Sequence, residues 1–116
     1  MNKRFIPVIS DTVLVPVKGS TKDAKGQPVP FKFSLVCNRI SASELRSRVS
    51  GDFDMKEILR EVTTDWQGQR LITDQENGGQ PAEFCSEAFD ALLDIAGMAM
   101  VCFSAYTKET SANEKN

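Results

Sequence analysis

Histidine is absent from the 116 residues. That absence removes the commonest general base, the Ser/His and Cys/His nucleophile pairs and the most frequent metal ligand. Cysteine is sparse and odd in number: Cys37, Cys85 and Cys102, with no C-x-x-C spacing. Neither a disulfide framework nor a zinc site is supported, and each cysteine lies among apolar neighbours, as a buried reduced thiol would. An excess of cations is missing too. The net charge of −2 argues against general attraction to nucleic acid or anionic lipid. The longest uncharged oily run, residues 95–105, falls short of the ~20 residues a membrane helix requires. The opening MNKRFIPVIS has basic residues but no long apolar run and no small-residue cleavage site, so it is not read as a signal peptide. No phosphate-binding glycine loop, G-x-S-x-G or metal-ligand cluster occurs. The expectation is a protein that is not an enzyme and uses no cofactor and no metal.

What remains is an ordinary globular composition, 41% hydrophobic and 26% charged, long enough for one core. The expected fold class is α+β: an N-terminal antiparallel β-hairpin over residues 11–39, then a small bundle of about four short helices over 41–107. Together these make a single domain, 1–107, followed by a flexible tail at 108–116. In the first strand, 12–17, Val13, Val15 and Val17 alternate with Thr12, Leu14 and Pro16. Pro16 cannot donate to a ladder, which places this strand at an edge. KGSTKDAKGQP, residues 18–28, reads as a mobile loop. In the second strand Phe31, Phe33, Leu35 and Cys37 face one way.

The period then changes. Ser41 to Glu44 is a capping box, and Asp54 is the N-cap of a second helix carrying Met55, Ile58, Leu59 and Val62 on one face. Trp66 falls on the same side if that helix continues. A short third strand is expected at 70–73 and a turn at Asn77-Gly78-Gly79. Ser86 is expected to cap the next helix, which runs as one kinked or two bent segments around Gly97.

Three patterns imitate chemistry. Residues 74–85 have the length of a calcium loop, but its twelfth position, where a bidentate glutamate is needed, is Cys85. Asp90 and Asp94 stand one helical turn apart, on what reads as a solvated face. FKFSLV has the aromatic alternation of RNA-binding sheets without their glycines and flanking basic residues.

The densest apolar stretch is AEFCSEAFDALLDIAGMAMVCFSAY, residues 82–106. A helix apolar nearly all round is buried on more than one side. In so small a domain a second chain is a reasonable source of the other side. The expected partner surface is therefore Phe89, Leu92, Leu93, Met98, Met100 and Phe103. Lys18, Lys22 and Lys25 form a secondary contact, and Trp66 is structural.

One succession of residues carries a resemblance: Trp66, the Gly79–Pro81 loop, Phe84, Ser86, the Leu92-Leu93 pair, Gly97, and Ala105 with Tyr106. In this order it resembles the tail assembly chaperones of long-tailed, siphovirus-type bacteriophages, over about residues 54–107. Ala96, where many relatives have proline, and Cys85 depart from the family pattern. The resemblance implies a non-enzymatic protein of the infected host bacterial cytoplasm, not retained in the mature virion. It would bind and solubilise the tape measure protein, meet the tail tube protein during assembly, and form a homo-oligomer. A longer form made by ribosomal frameshifting is common in that family. The alternative is a structural tail component, a tail tube or tail completion subunit. Neither nucleic acid nor membrane is an expected partner.

Overall fold

The computed structural model describes residues 4–112. Strands β1 (Thr12–Lys22) and β2 (Pro28–Asn38) pair antiparallel in unbroken register, from Thr12 opposite Asn38 to Lys22 opposite Pro28. Strand β3 (Thr63–Gln67) adds antiparallel to the other side of β2, giving the order β1-β2-β3. β1 is thus an edge strand, where Pro16 deprives the sheet of least. The alternation holds: Val15, Val17, Phe33, Leu35 and Cys37 are buried, while Leu14 on the opposite face is exposed.

The long loop expected at 18–28 is shorter than its composition suggests. β1 continues through Lys22, so Lys18 and Lys22 lie in the strand and only Lys25 lies in the turn. Asp23 makes that turn compact. Its carboxylate accepts from the backbone N–H of Lys25 and Gln27, and Gly26 supplies the left-handed backbone.

Helix α1 (Ala42–Ser50) starts at Ser41, whose hydroxyl accepts from the Glu44 N–H, the serine half of the expected capping box, while the Glu44 carboxylate lies toward Arg48. It buries no residue and rides at the periphery. Helix α2 (Met55–Val62) is capped by Asp54 and buries Ile58, Leu59 and Val62. Trp66 does not extend this helix. The β-branched pair Thr63-Thr64 turns the chain into β3, which sets Trp66 opposite Leu35.

The third strand expected at 70–73 is displaced to a two-residue ladder. β4 (Thr73–Asp74) pairs with β5 (Gln80–Pro81) around a 3₁₀ turn at Gln75–Asn77, and Gly78 and Gly79 take positive φ. Helix α3 (Ser86–Leu93) is capped by Cys85 in place of the expected Ser86; the Cys85 sulfur accepts from the Ala88 N–H at 3.4 Å. At Gly97, φ 82°, the chain bends by 105° into α4 (Met98–Thr110). α4 continues past the expected tail boundary at 108; residues 113–116 of that tail lie outside the described residues.

Helices α2, α3 and α4 pack on one face of the sheet around a single core. Each fully enclosed side chain there contributes about 1.5–3 kcal/mol. Tyr106 closes the bottom of the core, its hydroxyl donating to the Asn38 carbonyl at 2.7 Å. Trp66, Phe84 and Phe89 meet edge-on or tilted at the other end.

Candidate functional site: a cleft between α4 and the sheet edge

α4 presents several stripes. Met98, Cys102 and Tyr106, at i, i+4 and i+8, point into the core. The neighbouring positions Val101 and Ala105 lean toward β1 and are half-buried. Met100 and Ser104 face outward, with Met100 57% exposed. Small side chains at 104 and 105 leave the space between α4 and the sheet edge unfilled. The result is an open cleft of about 470 Å³ lined by Pro16, Lys18, Met100, Val101 and Ala105, with Ser104, Lys108 and Glu109 also at its wall. Its apolar floor is bounded by a methionine, by the ammonium groups of Lys18 and Lys108 and by the Glu109 carboxylate. That arrangement suits an amphipathic helix with small or aliphatic anchors.

The structure divides the residues expected to form a partner surface. Phe89, Leu92, Leu93 and Met98 are enclosed in the core and present no surface to a partner. This corrects the sequence-based expectation. The sheet, not a second chain, covers their face of the helices, because the bend at Gly97 folds α3 and α4 back over β1–β3. Phe103 is half-buried and meets Phe53 edge-on at 5.4 Å. Met100 and Lys18 come together in the cleft. Lys22 and Lys25 lie farther out on the hairpin.

No protein-family model, curated protein or solved structure matches the chain. The site is therefore judged on its own chemistry.

Cys37 and Cys102 are sealed in the core, and burial is the main cause that pushes both thiols upward, Cys102 to about 12. Desolvation likewise raises the Tyr106 phenol. These groups stay protonated and inert at neutral pH. Asp90 pairs with Arg60, whereas Asp94 caps the exposed end of α3, so the two carboxylates do not work as a couple. Asp74 spends its carboxylate on the Glu76 N–H, and no cluster of three metal-ligating side chains occurs among the described residues. No single helix among them is long and apolar enough to cross a membrane.

Two features escaped the sequence. Phe5, Ile6, Val8 and Ile9 form an exposed apolar arm before β1, with Val8 97% exposed. The five-residue apolar run FIPVI was the available signal, and its lack of periodicity hid it. Gln69, a buried polar residue, organises the 68–84 loop with four hydrogen bonds. Nothing in its sequence neighbourhood marks it.

Proposed function

We propose that the chain is a non-enzymatic assembly chaperone of long-tailed bacteriophages that holds helical segments of the tape measure protein. The observation that carries this is the α4 cleft: an open, apolar-floored groove with a solvent-facing methionine, beside a helix whose remaining apolar face is already satisfied by the core. The resemblance of residues 54–107 to that family supports the same choice. The exposed Phe5–Ile9 run adds apolar surface that a client or an assembly partner would cover.

The mechanism is helix-in-groove capture. Two or three client side chains in a cleft of this size gain roughly 3–9 kcal/mol before ordering costs, which leaves each site weak. Many copies along one long helical client then hold it by avidity while each contact stays reversible. Reversibility is what a holder needs if it must leave when the tube closes around its client.

Co-expression with the helix-rich tape measure chain encoded nearest to this gene tests the proposal. The expected result is a soluble complex that Met100→Asp abolishes without changing the thermal melt. A client that stays insoluble beside the wild-type chain would sink it. Recovery of this chain from mature virions would favour the structural tail component instead.

A further inference from the structure

Charge is unevenly distributed along this chain. Residues 71–107 contain six carboxylates and no lysine or arginine. The hairpin over 18–32 carries Lys18, Lys22, Lys25 and Lys32 against Asp23 alone. None of these lysines lies in an ion pair among the described residues, where the pairs involve Arg48 and Arg60. The register makes matters worse for the hairpin. Lys18 stands directly opposite Lys32, and Lys22 shares their face four pairs farther out on β1. Like charges directly opposite each other destabilise a strand pair unless an anion sits over them.

The matching surface is a groove of about 630 Å³ between the 72–77 turn and the first turns of α3. Its floor is apolar, formed by the half-buried Ile72, Ala82, Phe84 and Ala88. Its rim is Asp74, Glu76, Glu83 and Glu87, none of them in an ion pair among the described residues. The hairpin of the same chain does not fill it, because residues 20–30 are exposed throughout. The tip also carries apolar matter suited to the floor, in Pro28, Val29 and Pro30, with Val29 well exposed.

We propose that the hairpin tip of one copy seats in the carboxylate-rimmed groove of a second copy. Lys22 and Lys25 reach the rim carboxylates, and the Pro28–Pro30 segment covers the apolar floor. The contact is heterologous. Each copy offers its tip to one neighbour and its groove to another, so the product is a closed ring or an open row and not a two-fold dimer. The inference does not rest on the client proposed above, and the groove shares no residue with the α4 cleft.

Sedimentation velocity on the full chain, without any client, tests it. At low ionic strength, about 50 mM, wild type is expected to grow beyond a dimer with concentration, and raising salt to about 500 mM should weaken association by about tenfold or more, because rim charges are screened. Lys22→Glu/Lys25→Glu and, separately, Glu83→Lys/Glu87→Lys should each be monomeric. Mixing the two variants should restore association, since the reversed, negative tip of one then meets the reversed, positive groove of the other, and the unreversed tip meets the unreversed groove. The milder Glu83→Gln/Glu87→Gln variant should show intermediate association, which guards against misreading a folding defect, and circular dichroism checks each fold. A strictly monomeric wild type at low salt would overturn the proposal. So would oligomers that survive both charge reversals, or a mixture that stays monomeric.

Discussion

Truncating Gln69 to alanine should loosen the whole 68–84 loop. The side chain is 4% exposed. Its oxygen accepts from the N–H groups of Leu71 and Ile72 at 3.1 and 2.8 Å, and its nitrogen donates to the carbonyls of Ile72 and Ala82 at 2.9 and 3.1 Å. After truncation the two carbonyls keep other donors: the Ala82 N–H serves Ile72, and the Trp66 indole serves Ala82. The two amides lose their acceptor. Leu71 and Ile72 are half-buried, so water repairs the loss in part. An unsatisfied buried donor costs about 1–3 kcal/mol, and two partly hydrated ones with the small cavity come to about 2–4 kcal/mol. That is a large share of the ~5–15 kcal/mol of a domain this size and corresponds to a fall in Tm of roughly 10–20 °C. Urea denaturation followed by tryptophan fluorescence reads it directly, because Trp66 shares the Ala82 carbonyl with Gln69. Gln69→Met keeps volume and removes only the polar pattern. If Gln69→Met is as stable as wild type, or Gln69→Ala loses less than about 1 kcal/mol, the loop does not hang on these bonds.

Three further outcomes follow from the same packing. Leu92→Ala should cost about 2–5 kcal/mol and Met100→Ala within about 0.5 kcal/mol, since one side chain is enclosed and the other faces solvent; equal losses by chemical denaturation would contradict the division of α3 and α4 drawn above. Gly97→Ala should cost about 1–2 kcal/mol from left-handed backbone alone, because a methyl there would meet nothing within 4 Å, and a neutral result would mean the bend can be made another way. The buried thiols set an alkaline limit. Cys102 is raised from 9.0 to about 12, so below about pH 9 its stabilising effect is complete; above that the unfolded thiol ionises while the folded one stays protonated, and stability falls by up to about 1.4 kcal/mol per pH unit until the folded thiol also ionises. Cys37 and Tyr106, raised in the same direction, steepen the fall, Cys102→Ala should flatten it, and a thiol reagent at neutral pH should label exposed Cys85 alone.

The hairpin was legible because its side chains keep a strict period of two, and that period survives only where one face is buried. Its outer half was not legible. Residues 18–22 bury nothing and are strand only because β2 pairs with them. The caps at Ser41 and Asp54 and the bend at Gly97 could be read locally, since each depends on one residue's own chemistry. Trp66 misled because eleven residues after Met55 is also a helical spacing, while the competing signal was only two threonines. The partner surface was hardest. Phe89, Leu92, Leu93 and Met98 repeat at helical spacing whether the covering face belongs to the same chain or to another, so periodicity reports burial without naming what does the burying. Met100 breaks that periodicity, which is why it alone among the α4 methionines stays in solvent.

Arg39 reaches two distant parts of the chain at once. Its Nε donates to the Ser10 carbonyl at 2.8 Å, and its Nη1 to the Thr110 carbonyl at the end of α4 at 3.3 Å. One guanidinium therefore fastens the start of β1 and the close of the last helix to the same pole. The hairpin turn lies at the opposite pole, about 35 Å away along an eleven-residue strand. A fluorophore attached beside Ser10 or Thr110 therefore reports from the Arg39 pole, away from the turn.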